Sequence, residues 1–507
     1  DTGPGAEETG PDQAVARPAS VPVWRRWRAA PARLARVVRE HWIFASALAV
    51  AVLPRLVAMI GFQPGVLFQL DAYDYLWGAV HVSPNVVNPS GYSLFLWLLR
   101  PFHSIVLVVF LQHLLGLGIA TMVYALARRY GLPDWGATLA AAPVLFDRAQ
   151  ILLEQFVMAD LLAMALMVGA FGVLLLRKPP SMWQVVTAGV MTGASVTVRP
   201  TTLPLVLLIP LFLLLRRAGW RRAGASLLAG VIPVVAYMSW FAAAHGSFNM
   251  TNSNGMFLWS RTMSFAKCAV IKPPADLQAL CPEAQPGNLA RPDPSRRLQP
   301  KRYLWNRHTW PWSQEPSGLV PDTAAFTQAN NGRALRFAIM AIEAQPFSYI
   351  GVLAKDSAKP FLTTINSLRF PTVQPRISVP VEANQPYEIA TVRAYMADTQ
   401  GVAGDPGFVY GTQLKSPYAS LMNAYQRIFF LPGPVFALIM LTGLVGIILP
   451  SRRTAVGALL WVSAVILIVL PIAEHEYTYR YVLPTVPLAC IAAAIALRTP
   501  GHEAAQT

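Results

Sequence analysis

The stretch WIFASALAVAVLPRLVAMIGF, residues 42–62, contains a single charged residue, Arg55, in an otherwise apolar run. Lipid offers the backbone no hydrogen-bond partner, so an apolar run of about 20 residues predicts a helix that crosses a membrane. Further apolar runs follow at 104–127, 137–146, 151–176, 184–198, 201–215, 225–244, 429–449, 455–472 and 481–497. The sequence therefore predicts an all-α polytopic membrane protein with about ten transmembrane helices.

The composition agrees with a membrane protein. Of 507 residues, 54% are hydrophobic and only 13% are charged, whereas soluble chains carry about 25% charged residues. The net charge of +16 could point to nucleic acid, but the arginines stand in short clusters between apolar runs rather than on one amphipathic face. We interpret these clusters as topology signals and expect no nucleic-acid partner.

The arginine clusters predict the orientation in the bilayer. They lie at 25–39, 128–129, 177–178, 216–222, 452–453 and 498. With about ten spans all of them fall on one side, which the positive-inside rule makes the cytoplasmic side of a plasma (inner) membrane. Residues 1–41 and 499–507 are then cytoplasmic tails, the first of them disordered, and we expect the first span to be retained rather than cleaved.

The spans divide the chain into three parts. Residues 42–244 form a predicted N-terminal transmembrane module, whose first outer loop, 63–102, holds two short segments that are suited to the membrane interface. Residues 245–428 are mostly polar and rich in Pro and Asn, which predicts an inserted extracytoplasmic domain of α or mixed structure. The C-terminal transmembrane helices occupy 429–498.

The positions of the three cysteines agree with an inserted domain that lies in an oxidising compartment. Cys268 and Cys281 lie in the predicted outer domain, and Cys490 lies alone in the last span. An oxidising compartment favours a Cys268–Cys281 disulfide, and the alternative is two unpaired thiols.

Ionisable residues collect at the predicted outer boundary of the membrane, opposite the arginine clusters. They are Asp71, Asp74, Asp147, Arg148, Glu154, Arg199, Glu474, His475, Glu476 and Arg480. Such groups are costly beside apolar spans, so their collection at one depth indicates a polar cavity between helices. Acids can activate a hydroxyl and arginines can hold an anion, which suits a reaction between a lipid phosphate and an alcohol.

Several segments of this boundary carry a resemblance. They are FQLDAYDYLWGAV (68–80), NPSGYSLFLWLL (88–99), Glu154 after a short span, VRPTTLPL (198–205) and YRYVLPTVPL (479–488). In this order they resemble bacterial GT-C glycosyltransferases that use polyprenyl-phosphate sugars, of the protein-mannosyltransferase and aminoarabinose-transferase-like group. The resemblance covers the membrane part, about residues 42–260 and 429–498, and leaves 261–428 without a counterpart.

Three carboxylates are candidate catalytic residues, and the resemblance implies the role of the first. In that family an aspartate of the first outer loop is the catalytic base, and Asp71 is the matching position; the alternative is an N-cap of the following helix. Asp74 lies on the same helical face and could share a metal or a proton with Asp71, or be a solvated residue. Glu154 is expected to orient the acceptor or the base, or to form an ion pair with Arg148.

Other residues are candidates for binding the substrates. The candidates for the donor phosphate are Arg55, Arg148, Arg199 and Arg480, and those for substrate binding are Tyr92, His475, Glu476 and Tyr481. Arg199 precedes Pro200 at a break between spans, where a guanidinium and freed backbone groups could hold a phosphate. The alternatives are an arginine extending to water, favoured for Arg55, a solvated His475, and a Tyr481 that belongs to the aromatic belt.

Together these observations predict an inverting glycosyltransferase. It would move a sugar, for example mannose or arabinose, from a polyprenyl-phosphate carrier to a hydroxyl of a glycan, lipid, peptide or protein at the extracytoplasmic face, in cell-wall or other glycan biosynthesis. The alternatives are a transporter or flippase of a lipid-linked sugar and a membrane scaffold. No glycine-rich phosphate loop is present. No cofactor is expected, with a divalent metal left open as an alternative.

Overall fold

The computed structural model describes residues 38–67, 69–177, 179–306, 309, 325–362, 368–372, 391–392, 394–396, 412–449 and 454–498. Most of the predicted tails 1–41 and 499–507 lie outside these residues, as does the arginine cluster at 452–453. The described part is helical except for short connections and one antiparallel pair of strands, β1 (Phe62–Gln63) and β2 (Gln413–Leu414).

The N-terminal helices run, in chain order, as α1 Trp42–Gly61, α2 Gln69–His81, α3 Gly91–Leu99, α4 Ile105–Arg129, α5 Asp134–Phe146, α6 Arg148–Gln155, α7 Ala159–Leu175, α8 Met182–Val198, α9 Leu203–Leu215 and α10 Trp220–His245. The remaining helices are α11 Asn254–Thr262, α12 Cys268–Ile271, α13 Pro300–Leu304, α14 Gln328–Ala344, α15 Pro346–Leu362, α16 Tyr418–Ile428, α17 Gly433–Ile448, α18 Ala455–Glu474, α19 Tyr479–Val482 and α20 Val486–Ala496.

Within the residues that the structure describes, five stretches are long and apolar enough to cross a membrane. They are Trp42–Gly61, Ile105–Arg129, Trp220–His245, Ala455–Glu474 and Tyr479–Ala496. The number rises to 7 if two pairs of bent helices, α14 with α15 and α16 with α17, each count as one span. The chain is thus a helical protein with several membrane-spanning helices, and the predicted count of about ten is not confirmed.

One predicted span, 151–176, is broken in the structure. Helix α6 ends at Gln155, and helix α7 begins only at Ala159. Between them the chain is extended and pairs with Val66, whose N–H donates to the Gln155 carbonyl at 2.9 Å and whose carbonyl accepts from the Val157 N–H at 3.2 Å. The break brings Met158 and the start of α7 to the region of the charged residues described below.

Small residues allow close packing of the membrane helices. A Cβ added to Gly193 of α8 would lie 2.1 Å from the Gly230 carbonyl oxygen of α10, which no side chain could tolerate. Backbones that approach this closely at small residues are typical of helix pairs in membranes. Helix α8 is therefore held firmly between α7 and α10, and its last residues carry part of the site.

The buried apolar side chains form separate cores. The largest is built mainly from the helices of 42–215 and 418–496. A second core, which includes Trp259, Leu280, Tyr303 and Phe337, lies in the inserted region after α10 and also takes in Tyr237 and Phe241 of α10 itself. The inserted region therefore has its own core that is continuous with the end of a predicted span.

Candidate active site

Helices α2 and α19 bring together two residues that are far apart in the sequence. Nη1 of Arg480 donates to Oδ2 of Asp71 at 3.0 Å, and these side chains remain 16% and 24% exposed. Asp71 is the third residue of α2, within the first turn, where the helix dipole favours a carboxylate. It is therefore not an N-cap, and its oxygens face the start of α19.

Tyr481 joins a second arginine to this pair. The guanidinium carbon of Arg199 lies 4.4 Å from the centroid of the Tyr481 ring, and that of Arg480 lies 5.1 Å from it. Nη2 of Arg480 also donates to the Tyr481 hydroxyl at 3.3 Å. Guanidinium groups are attracted to the face of an aromatic ring, so Tyr481 contacts both arginines. We call Asp71, Arg199, Arg480 and Tyr481 the site cluster.

Arg199 stands at the break between α8 and α9. It precedes Pro200 and is extended, with φ −150° and ψ 108°, as the residue before a proline prefers. Its guanidinium forms an ion pair with Asp160 of α7, and its Nε donates to the Thr201 hydroxyl at 3.3 Å. Asp160 was not among the predicted site residues; a lone acid in the apolar sequence of α7 was the signal that could have found it.

Tyr75 is a second residue that the sequence analysis missed. It lies four residues after Asp71 on α2, and hence on the same face of the helix. Burial raises the pKa of its phenol well above the usual range, the Asp71 carboxylate raises it further, and Arg480 and Arg199 oppose the effect. The hydroxyl therefore stays protonated beside the site cluster and is available as a hydrogen-bond donor.

Asp74, the other candidate acid of α2, is buried. Its charge also acts on the Tyr75 phenol. In the described part of the chain, the one group of three possible metal ligands is Cys268, Cys281 and Glu283. That group does not include Asp74.

Tyr92 was predicted to bind substrate, but it lies beneath the site. Its side chain is fully buried, and its ring packs edge-on against Tyr75 with 5.0 Å between centroids. Its hydroxyl donates to Oε1 of Gln112 at 2.7 Å, and the Gln112 amide donates to the carbonyl of Phe156. Tyr92 therefore supports Tyr75 and the break after α6 rather than contacting a ligand.

Arg55 and Glu154, predicted to serve the donor and catalysis, form a buried ion pair with each other. Nε and Nη2 of Arg55 donate to the two carboxylate oxygens of Glu154, both at 2.8 Å. The remaining guanidinium hydrogens reach the carbonyls of Ala51, Val144 and Leu145. The expected phosphate role of Arg55 is thus corrected, because every guanidinium N–H already has an acceptor inside the bundle.

The Glu154 carboxylate is equally occupied. His113 approaches it at 2.8 Å through Nδ1, and the Gln150 amide donates to it at 3.0 Å. Glu154 is fully buried, and a Cβ on Gly116 would lie 2.0 Å from its Oε1. A charge in an apolar bundle is tolerated when it is paired and hydrogen-bonded. The structure therefore replaces the catalytic interpretation with an ion pair, and the partner is Arg55 rather than Arg148.

Arg148, also predicted as a phosphate ligand, holds the link between α16 and α17. Its Nη1 donates to the carbonyl of Gln426, and its guanidinium carbon lies 5.1 Å from the ring centroid of Phe430. The preceding residue, Asp147, caps α6 by accepting from the Ala149 N–H at 3.1 Å. Both residues therefore fix the connection into α6.

His475 and Glu476, predicted to bind substrate, instead contact helices of the inserted region. Nδ1 of His475 lies 2.9 Å from the Ser260 hydroxyl of α11, and burial, helped by Arg261, lowers the pKa of His475 to about 3. Glu476 pairs with Lys301 of α13 at 3.7 Å, and burial raises its pKa. A neutral imidazole and a paired carboxylate anchor the segment that leads to Arg480.

Cys268 and Cys281 form a disulfide, with 6.0 Å between their Cα atoms. The bridge lies in the inserted region, where it joins α12 to the turn that follows. Because both sulfur atoms are used in it, they are not available as thiolate ligands beside Glu283.

No family model matches this chain, and no curated protein matches it. Solved structures do. The oligosaccharyltransferase of Archaeoglobus fulgidus, in its apo form, is similar over 90% of this chain and 50% of its own, at 12% identity and a TM-score of 0.38. ArnT of Cupriavidus metallidurans, bound to undecaprenyl phosphate or in the apo state, is similar over 91% of this chain and 78% of its own, at 14% identity and a TM-score of 0.33. This chain thus spans half the length of the oligosaccharyltransferase.

Proposed function

We propose that this protein is an inverting glycosyltransferase that moves a sugar from a polyprenyl-phosphate carrier to an acceptor hydroxyl, with Asp71 as general base. The observation that carries the proposal is the site cluster: a carboxylate and two guanidinium groups, from three distant parts of the chain, meet around one tyrosine ring. The carrier and the acceptor class follow from the resemblance of these segments to GT-C enzymes. The reaction would take place at the extracytoplasmic face of the plasma membrane.

In the proposed reaction the carboxylate of Asp71 takes the proton of the acceptor hydroxyl. The acceptor oxygen forms a bond to the anomeric carbon from the face opposite the carrier, and the bond from that carbon to the phosphate oxygen breaks. The electron pair leaves with the lipid phosphate, whose growing charge Arg480 and Arg199 stabilise. Attack from the opposite face inverts the configuration at the anomeric carbon.

The contact between Asp71 and Arg480 would make the action of the base depend on binding of the donor. In the structure, Oδ2 of Asp71 already accepts a hydrogen bond from Arg480. A phosphate that takes over the Arg480 hydrogens competes with Asp71 for the same donor group. Donor binding would therefore free Oδ2 of Asp71 to accept the proton of the acceptor hydroxyl.

A transfer assay tests this proposal. The purified protein is incubated with radiolabelled polyprenyl-phosphate mannose or arabinose and a panel of glycan, lipid and peptide acceptors. Asp71→Asn should lower the rate by about 100-fold or more, in the range that a positioned base contributes. The matched control is Asp276→Asn, which removes a carboxylate that is 51% exposed and pairs with the exposed Arg336.

The outcomes of this assay separate the candidate functions. Transfer that survives Asp71→Asn removes Asp71 as the base. Absence of transfer by the wild-type protein with every donor, together with movement of the lipid-linked sugar across a vesicle membrane, would replace the enzyme by a transporter.

A further inference from the structure

Glu474 differs from the other carboxylates that the sequence places at the same boundary. Asp71 and Glu476 have arginine or lysine partners, Glu154 pairs with Arg55, and Asp147 accepts from a backbone N–H. Glu474 makes no hydrogen bond and no ion pair with any other residue that the structure describes. Within that described part of the chain, no protein group occupies its two oxygens.

The position of Glu474 is also unfavourable for a carboxylate. It is the last residue of α18, a helix of mostly apolar residues, and it is partly buried. The C-terminal end of a helix carries partial negative charge, which repels an anion. A carboxylate that is held there without a partner costs folding free energy, and such a cost is typical of a residue that is kept for binding or catalysis.

The surroundings of Glu474 link it to the site cluster. Helix α18 contacts Pro200–Thr202, the turn that follows Arg199, and it also contacts α19, which carries Arg480. The charges of Glu474 and Arg199 act on each other. The charge of Glu474 also acts on Tyr349 of α15. The Tyr349 hydroxyl donates to the carbonyl of Ala473, the residue before Glu474, at 3.0 Å. Glu474 therefore ends a helix that contacts both the turn after Arg199 and α15, and it comes from α18 rather than from α2 with Asp71.

We propose that Glu474 binds hydroxyl groups of the sugar that the donor carries. This inference rests on the proposed function, which sets the lipid phosphate against Arg480 and Arg199. The sugar ring is joined to that phosphate through one oxygen, so it would lie close to Arg199, whose charge acts on Glu474. A carboxylate repels the phosphate but accepts strong hydrogen bonds from hydroxyl groups.

The proposal separates recognition of the sugar from recognition of the carrier lipid. The probes are undecaprenyl phosphate, which lacks a sugar, and undecaprenyl-phosphate mannose and arabinose. Their dissociation constants and the kcat/KM for transfer are measured for the wild-type protein, Glu474→Gln, Glu474→Ala and the control Asp276→Asn. The unfolding temperature of each variant in detergent is measured in parallel.

We expect both Glu474 variants to bind undecaprenyl phosphate within about twofold of the wild-type protein. Their affinity for the glycosylated carrier, and their kcat/KM, should fall by about 10- to 100-fold, as for the loss of hydrogen bonds to a charged group. Glu474→Gln should unfold at the wild-type temperature or above it, because it removes a carboxylate from a helix C-terminus. Asp276→Asn should match the wild-type protein throughout.

Equal losses for the carrier with and without sugar, or a lower unfolding temperature for Glu474→Gln, would overturn the proposal in favour of a structural role. Unchanged binding of the glycosylated carriers would overturn it as well. Failure of the proposed function gives a different pattern: the wild-type protein would distinguish glycosylated from sugar-free carrier through Glu474 and yet transfer no sugar to any acceptor.

Discussion

The guanidinium of Arg480 donates to the carboxylate of Asp71 at 3.0 Å, although 409 positions of sequence separate the two residues. Their side chains come from opposite ends of the membrane part: Asp71 follows the first span, and Arg480 lies at the start of the last one. This contact places the proposed base and a proposed phosphate ligand in one partly exposed site.

Arg480→Gln should weaken binding of undecaprenyl phosphate by about 10- to 100-fold, because it removes a charged hydrogen-bond donor from the phosphate. Arg480→Lys should recover only part of the affinity, since an ammonium keeps the charge without the planar fork of donors. Titration of the purified variants with the lipid measures both effects. Equal affinity in all three proteins would exclude Arg480 from the phosphate site.

Tyr481→Leu should raise the KM for the donor about 10-fold, because the aromatic face that both Arg199 and Arg480 contact is lost. Tyr481→Phe keeps the ring and loses one hydrogen bond from Arg480, so its KM should stay within about threefold of wild type. Steady-state kinetics distinguishes the two substitutions. A larger defect in Tyr481→Phe than in Tyr481→Leu would show that the hydroxyl, not the ring, is important.

Arg55→Met and Glu154→Gln should each destabilise the fold strongly, since breaking one partner of a buried pair costs about 3–5 kcal/mol. The double variant Arg55→Met/Glu154→Gln should lose less than the sum of the single losses, because no charge is left unpaired. Unfolding temperatures in detergent provide the comparison. Single variants that fold like the wild-type protein but transfer no sugar would return Glu154 to the catalytic residues.

The contacts of His475 predict a dependence of stability on pH. The pKa of His475 is about 3 in the folded protein, against 6.5 for an ordinary histidine, so the unfolded chain binds the additional proton first. The contribution of His475 to the free energy of unfolding should be complete above about pH 6.5 and should be lost progressively as the pH is lowered towards 3. The positive charges of Arg261, Arg480 and Lys301 favour the neutral imidazole.

The variant His475→Asn keeps a polar partner for Ser260 and cannot take up a proton. Its unfolding temperature should therefore decline less between pH 7 and pH 5 than that of the wild-type protein. Parallel declines in the two proteins would show that other groups cause the acid sensitivity.

Sequence patterns were sufficient to propose part of the site. Asp71, Arg199, Arg480 and Tyr481 each stand beside an apolar run at the same predicted depth, so their meeting could be proposed from the cost of charge near lipid. The pairing of Arg55 with Glu154 could not be proposed from the sequence, because 99 positions separate the two residues and only the folded bundle brings α1 against α6. The sequence shows only nearby residues as candidate partners, and it therefore suggested Arg148 as the partner of Glu154.

The break between α6 and α7 could not be predicted from the sequence either. Residues 151–176 look like one apolar run, but Gln155 and Glu154 are held by Phe62, His113 and Arg55 through contacts between distant segments. Those contacts end α6 and leave 156–158 extended. The spacing of apolar residues along the sequence indicates local helix propensity, whereas such breaks are determined by tertiary hydrogen bonds.

The central claim is that one phosphate-binding and catalytic site is formed by Asp71, Arg199 and Arg480. The most direct measurement is a cryo-EM structure with a polyprenyl-phosphate sugar bound. We expect the phosphate within hydrogen-bond distance of Arg480 and Arg199, the anomeric carbon near Asp71, and the ion pair between Asp71 and Arg480 opened. Donor density elsewhere in the protein, with that ion pair intact, would contradict the account.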